Sequence, residues 1–325
     1  MKIEIQKMIE KIKCFSNKHK KNTLVKVLKS IYDLFKFYLI SDRAFVKLSF
    51  RMSHGYTLDL NNPKSLNEKI QWLKLHDRTS LHTQCADKYR VRDYVRDKIG
   101  EDYLIPLFFF TKKPTDINLK KLENLLPCIV KTNHNSSGGI IFKDVKNQNW
   151  KEHQKWLTNE LKKDYYLKSR EWQYKNIERG IVVEKLLQNS KGEIPFDYKV
   201  HCFNGKTRMI QVDLFRDSDN YSRNWYTSDW NLAPFGWYSE KEGEIKKSKG
   251  VNINPPKCLE HMLELSEELS TGFVYSRIDW YDVDGKLFFG EITFHHDGGL
   301  RPIEPKKWDF ILGNELDLTP ILNRI

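Results

Sequence analysis

The chain has 325 residues and a formal net charge of +12, with 39% hydrophobic and 13% aromatic residues. That much apolar material supports a packed core and excludes a disordered chain, and the length allows one large multi-lobed domain or two smaller ones. Five scattered cysteines without a CxxC spacing read as free thiols, and no apolar stretch approaches the roughly 18 residues of a membrane span.

Residues 1–50 hold 12 Lys/Arg against 4 Asp/Glu, so most of the positive excess sits at one end. A globally basic nucleic-acid binder spreads its charge over the folded body, so no nucleic-acid partner is expected. The segments 1–15 and 23–40 place apolar residues at helical spacing (Ile5, Met8, Ile9, Ile12; Leu24, Val27, Leu28, Ile31) opposite lysine-rich faces. They read as a basic amphipathic arm, either packed on the body or resting weakly on an anionic membrane surface. Lysines interrupt any signal-peptide core, which places the expected protein in the cytoplasm, also at the inner face of the membrane if the arm binds there.

After Pro63, the stretch SLNEKIQWLKL predicts a helix opened by a capping box at Ser65 and Glu68. One helix is expected over 84–100, closed by Gly100, then a strand over 103–110 and a short helix over 118–125. Strands follow at 128–134 and 181–187, with a helical region over 149–176 between them. The C-terminal third reads as strands at 197–203, 207–214, 273–281 and 287–294, interrupted by a helix over 257–270. FNGK (203–206) and DVDGK (282–286) supply the Asn-Gly and Asp-Gly turns of β-hairpins. Mixed helices and hairpins argue an α+β fold with antiparallel sheets.

Three stretches carry chemistry. In the second hairpin, Asp279 and Glu291 fall opposite or diagonal to each other, with Arg277 on the same face as Asp279. Two carboxylates so close need a cation between them, and an all-oxygen pair suits Mg²⁺ or Mn²⁺. A structural Arg–Asp–Glu network fits the hairpin equally well. In 128-CIVKTNHNSSGGIIF-142, a lysine at a strand end precedes small residues whose backbone N–H groups can close around phosphate oxygens. An ordinary glycine hairpin is the plain alternative. The strand IVVEKLL offers an edge that could read a nucleobase. Asp282 and Asp284 match the D-x-D of metal-dependent glycosyltransferases, although a DVDGK turn needs both residues for shape alone. A non-catalytic carbohydrate- or membrane-binding protein would use the nine tryptophans and the arm, and would leave the lysine–glycine loop unexplained.

Taken in order, NPKSLNEKIQWLKL, ADKYRVRDYV, PCIVKTNHNSSGG, VVEKLL, DYKVHCFNGK, RIDWY and GEITF resemble the TupA-like ATP-grasp family of bacterial surface-polysaccharide loci, from about residue 60 to residue 313. The resemblance implies an ATP-grasp fold, with two mixed and antiparallel α+β lobes sandwiching ATP behind the helical arm. It divides the chain into the arm (1–50), an N-terminal α/β subdomain (51–124), a lid with the glycine loop (125–187) and a catalytic subdomain (188–325). It implies ATP and Mg²⁺, with Mn²⁺ as a substitute. Lys88, Lys131, Ser136, Ser137, Gly138 and Gly139 would hold phosphates, Glu184, Lys185 and Leu186 would cradle adenine, and Lys199 would face the triphosphate. Arg277, Lys199 and Lys131 would act in catalysis, and Asp279 and Glu291 would hold the metal. Many ATP-grasp enzymes carry E-x-N here, whereas this chain has Glu291-Ile292-Thr293, so Thr293 stands as a weaker third ligand. His295, His296 and Arg301 would line an acceptor pocket. The implied reaction is ATP-dependent amide formation through an acyl phosphate, joining an amino acid or other amine to a uronic acid or saccharide carboxylate of a capsule or O-antigen precursor.

Overall fold

The computed structural model describes residues 40–324 except 137, 215–221, 238–239, 242–243 and 246–251. The arm helices expected at 1–15 and 23–40 therefore lie, save for Ile40, outside the described residues, as does Ser137. The chain divides into two compact units, Met1–Leu48 and Ser49–Ile325. Helix α1 (Asp42–His54) runs through that boundary. Among the described residues no helix is long and apolar enough to cross a membrane.

In the second unit, α2 (Leu66–His76) begins as its sequence dictates. Ser65 Oγ accepts from Glu68 N at 3.2 Å, and Glu68 Oε2 accepts from Ser65 N at 3.0 Å, so two of the amides the helix start leaves unpaired are satisfied. The helix is buried almost all round, including Gln71 and Lys74. The single helix expected over 84–100 is two, α3 (Ser80–Ala86) and α4 (Val91–Ile99). The cause is tertiary. Asp87 Oδ1 accepts from Tyr89 N at 2.9 Å and from Asn133 Nδ2 at 2.8 Å, and Lys88 N donates to the Asn133 carbonyl at 3.1 Å. These bonds take the backbone out of the helical ladder.

Two antiparallel sheets follow. The first, in order β1-β4-β2-β3, comprises β1 (Leu107–Thr111), β2 (Cys128–Thr132), β3 (Ile140–Phe142) and β4 (Ile181–Lys185). Between β1 and β2 lies the short helix α5 (Leu119–Leu122). Between β3 and β4 run α6 (Trp150–Lys162), α7 (Tyr165–Ser169) and a 3₁₀ turn at Trp172–Tyr174, so the helical region expected over 149–176 is present but broken. Its core gathers Ile117, Leu122, Val130, Phe142, Leu157, Ile181 and Val183.

The second sheet contains β5 (Asp197–Phe203), β6 (Lys206–Leu214), β7 (Ser222–Thr227), β11 (Tyr275–Val283) and β12 (Lys286–Thr293), in order β12-β11-β5-β6-β7. Short pairs β8 (Gly236–Trp237) with β13 (Ile303–Glu304), and β9 (Glu240–Lys241) with β10 (Glu244–Ile245), lie outside it. Both expected turns form, with positive φ at Asn204 and Gly205 (50° and 79°) and at Asp284 and Gly285 (53° and 91°). Alternation along the strands separates two faces. Tyr198, Val200, Ile210, Val212, Ile278 and Trp280 pack into a core with Val95 of α4 and Met262 and Leu269 of α8 (Leu259–Ser270). The opposite face carries the charged residues of the site. The chain ends in α9 (Lys307–Glu315) and α10 (Thr319–Leu322). Gly313 of α9 crosses α2 so closely that a Cβ would meet the Lys64 carbonyl at 2.1 Å.

Candidate active site

One row of charge crosses all five strands of the second sheet. Glu291 stands on β12, Arg277 and Asp279 on β11, Asp197 and Lys199 on β5, Asp213 on β6 and Arg223 on β7. Arg277 grips Asp279 with two nitrogens, each at 2.7 Å, and reaches Glu291 Oε1 with Nη2 at 3.2 Å. Lys199, directly opposite Asp279 in the register, donates to Asp279 Oδ2 at 2.9 Å and also to Asp197. Asp213 lies 3.9 Å from the Lys199 ammonium and receives Arg223 Nε at 2.7 Å. Lys88 closes the row from outside, donating to Glu291 Oε2 at 3.0 Å across 203 residues of sequence. Four carboxylates thus face four cations, the condition under which buried charge is tolerated.

A bulge sets Glu291 there. The β11–β12 register slips between Ile278 and Trp280, so Gly290 and Glu291 both fall opposite Asp279. A Cβ at Gly290 would approach the Asp279 carbonyl at 3.1 Å, so glycine permits the close pairing. Asp279 has a side chain only 5% exposed, against 34% for Glu291, so the glutamate is the reachable member. Burial pushes the Glu291 carboxyl up, but Lys88, Arg277 and Lys199 together outweigh it and hold the group well below the usual carboxylate range. For Lys199, burial alone would lower the ammonium, and Asp197 and Asp279 outweigh it, so its net shift is upward. The Thr293 hydroxyl lies 3.4 Å from Glu291 Oε1.

The first sheet contributes a second, more open pair. Lys131 of β2 meets Glu184 of β4 at 2.6 Å, with Arg92 at 3.8 Å from the same carboxylate. Glu184 is 5% exposed and Lys131 17%. Lys185 N donates to the Pro106 carbonyl and Leu186 N to that of Pro127, each at 3.0 Å, and β4 ends at Lys185 rather than at 187. Gly138 has φ of 79°, and a Cβ at Gly139 would strike the Val130 carbonyl at 2.9 Å, so both glycines are needed where the loop turns back. Ser136 shares hydrogen bonding with Tyr165 and Tyr174, which sense the charge of Glu291 as well.

His295 and His296 are 4% and 1% exposed. Gln173 approaches His295 Nδ1 at 3.1 Å, with Glu171 at 3.7 Å. His296 packs against Trp237 and meets Arg277 Nη1 at 2.8 Å, so neither ring offers a free face to an acceptor here. Behind them Asp297, Gly298 and Gly299 are all left-handed (φ 45°, 63°, 63°). Gln71 and Lys74 of α2 hold that turn by donating to the Gly298 carbonyl, each at 2.6 Å. Trp237 Nε1 donates to the Arg301 carbonyl, and the Arg301 guanidinium makes no ion pair among the described residues. The D-x-D pair serves backbone amides, since Asp282 Oδ1 accepts from Gly285 N within the turn and Asp284 Oδ2 from Ser190 N of the loop before β5, each at 2.7 Å.

Of the residues expected from the sequence, Arg277, Asp279, Glu291, Lys199 and Lys88 lie together in the charged row, and Lys131 lies on the first sheet with Glu184. Sequence reasoning missed Asp197, Asp213 and Arg223, the tyrosine pair, Glu171 and Asn133. Asp197 opens β5, which is buried at every position, and Asp213 lies in the buried stretch of β6; an acid among so many apolar strand residues is itself a signal. Asn133 gave none. It receives Gly180 N on Oδ1 at 2.7 Å and donates from Nδ2 to Asp87, which fixes the segment bearing Lys88 to the end of β2.

No curated protein matches this sequence. Among solved structures, a D-alanine–D-alanine ligase from Bacillus anthracis complexed with ATP is 18% identical, with a TM-score of 0.36, covering 65% of this chain and 54% of that one. The ligase PsnB complexed with minimal precursor, Mg and ADP is 11% identical, with a TM-score of 0.34, over 70% of this chain and 58% of that one. The ADP complex of purK, N5-carboxyaminoimidazole ribonucleotide synthetase, is 11% identical, with a TM-score of 0.36, over 74% and 52%. This chain thus spans little more than half of each. The TupA-like ATPgrasp family matches residues 68–317, a range holding both sheets and every residue of the charged row, and the chain belongs to the TupA-like ATP-grasp family.

Proposed function

We propose that this protein is an ATP-dependent carbon–nitrogen ligase. The observation that carries the reading is the meeting of Lys88 with Glu291, which brings a cation from a distant segment to the open end of the Arg277–Asp279 row. One oxygen of the substrate carboxylate attacks the terminal phosphorus of ATP, the bond to the bridging oxygen breaks, and ADP leaves. The amine nitrogen then attacks the acyl carbon, loses its proton, and phosphate departs to leave the amide.

Each residue has a part fitted to its exposure. Lys88 and Lys131 are partly exposed and exchange their carboxylates for phosphate oxygens. Backbone amides of Ser136, Gly138 and Gly139 would close over the same oxygens. Glu184, Lys185 and Leu186 border the base. Arg277 faces the transferring phosphoryl group, where fixed charge lowers the barrier. Lys199 is enclosed by acids, so it acts by holding Asp279 in place. Among the described residues no cluster of three or more metal-ligating side chains forms, but the Asp279–Glu291 pair offers the oxygen donors Mg²⁺ takes, and Glu291, a third exposed, is the one placed to exchange Lys88 and Arg277 for the ion. Asp279 and Glu291 would hold that ion, with Thr293 orienting Glu291, and when bound it neutralises phosphate charge.

The finer reading is a uronic acid or other saccharide carboxylate joined to an amino acid in a capsule or O-antigen precursor. Arg301, whose guanidinium makes no ion pair among the described residues, is suited to a substrate carboxylate. Residues 1–50 would add weak attachment to an anionic surface, checked by liposome flotation of full-length and truncated protein at low salt. The decisive test is ADP release against a panel of uronic acids and amino acids. ATP·Mg²⁺ at hundredfold excess over its Kd should add about 2.7 kcal/mol of stability. A thermal shift with UDP-sugars and none with ATP analogues would favour a glycosyltransferase instead.

A further inference from the structure

Arg277 is held on two sides. Its Nε and Nη2 face the carboxylates of Asp279 and Glu291, while Nη1 lies 2.8 Å from Nδ1 of His296. A guanidinium has only donors, so the imidazole must accept through a bare Nδ1 and carry its one proton on Nε2. The ring has no room to turn. It is 1% exposed and packed against Trp237 at 4.4 Å, His201 at 4.9 Å and Trp225 at 5.9 Å. His201 is itself fixed through Nδ1 to the Tyr275 hydroxyl at 2.9 Å. Burial pushes the His296 imidazole well below its ordinary range, and Arg277, Arg223 and Lys199 push it further, which agrees with a neutral ring.

The backbone after it explains why the ring stays there. Asp297 adopts a left-handed φ of 45°, rare for a non-glycine residue, and the next two carbonyls are tied to α2 by Gln71 at 2.6 Å and 2.9 Å. Without an acceptor at Nη1, the guanidinium could swing about its last torsions toward whichever carboxylate is free. With it, the plane is fixed by three groups, Asp279 on β11, Glu291 on β12 and His296 in the turn beyond β12.

We propose that His296, as the neutral Nε2–H tautomer, is a positioning residue that holds Arg277 aimed at the terminal phosphate when Glu291 leaves it for a metal. This rests on the ligase reading for its consequence, though not for the tautomer. Nitrogen-15 NMR of the full-length protein should show His296 with an unprotonated Nδ1, and an Nδ1–H or doubly protonated ring overturns the proposal whatever the protein binds. For the consequence, Mg²⁺·AMPPNP and Mg²⁺·ADP affinities are compared in wild type, His296→Asn and His296→Leu. Asparagine keeps an acceptor near the Nδ1 position, so its preference for AMPPNP should stay within about threefold of wild type. Leucine keeps bulk without an acceptor and should lose about tenfold of that preference, about 1.4 kcal/mol, with ADP binding little changed. Equal behaviour of the two variants overturns the proposal. If His296→Leu does not fold, the NMR result and His296→Asn decide, and a drop in His296→Asn to below a tenth of the wild-type preference counts against it. A wild type that binds neither nucleotide ends the ligase reading and leaves the tautomer to NMR.

Discussion

The two sheets each set a lysine against an acid on a neighbouring strand, but they do so under different conditions. Lys131 and Glu184 form a pair whose cation is 17% exposed at the edge of the glycine loop. Lys199 and Asp279 lie within a row where the lysine side chain is 6% exposed and enclosed by Asp197, Asp279 and Asp213. An exposed ammonium can change partners at little cost, whereas a buried one cannot leave without stranding several carboxylates. On the proposed reading, a lysine–acid pair is a phosphate hand in one sheet and a frame in the other.

The largest effect should come from Glu291, the point where frame and opening meet. Glu291→Gln should lower ATP-dependent turnover by roughly a thousandfold, since charge neutralisation at the phosphates supplies several kcal/mol of barrier reduction. A folded Glu291→Gln protein with most of its turnover would end the metal role. The same variant has a pH signature. Because the folded carboxyl is held below its unfolded value, its contribution is present above the ordinary carboxylate pKa and fades as pH falls below it. Acid unfolding of the variant should accordingly be less steep below about pH 4.3.

The next pair tests the comparison itself. Lys199→Met should cost about 3–5 kcal/mol in urea unfolding, because it strands buried carboxylates. Lys131→Met should cost only about 1–3 kcal/mol, since Arg92 remains near Glu184, yet weaken ATP binding at least about tenfold. Equal destabilisation by the two would show that exposure does not separate their roles.

A smaller effect extends the contrast to the turn behind β12. Lys74 is 1% exposed and donates to the Gly298 and Ser169 carbonyls, and burial lowers its ammonium to about 8 against the pull of Glu171. Between that value and the unfolded one the native state has shed a proton that the unfolded chain keeps, so stability rises with pH across the window. Wild type should gain about 1–3 kcal/mol more than Lys74→Met between pH 8 and 10.4. Parallel curves would mean that the ammonium is solvated after all.

By itself the sequence determined whatever depends on neighbours along the chain. The Ser65–Glu68 capping box, the Asn204-Gly205 and Asp284-Gly285 turns, the period-2 strands and the placing of Arg277, Asp279 and Glu291 on one hairpin all follow from local spacing. Only the tertiary structure decided the break at Asp87, because its partner Asn133 comes 46 residues later. It alone decided that Lys88 meets Glu291, that Lys199 is locked among acids, and that His296 is enclosed beside Arg277. Those outcomes turn on burial and on strands adjacent in space, and the dielectric around a charge is a property of the packed fold that no local spacing encodes.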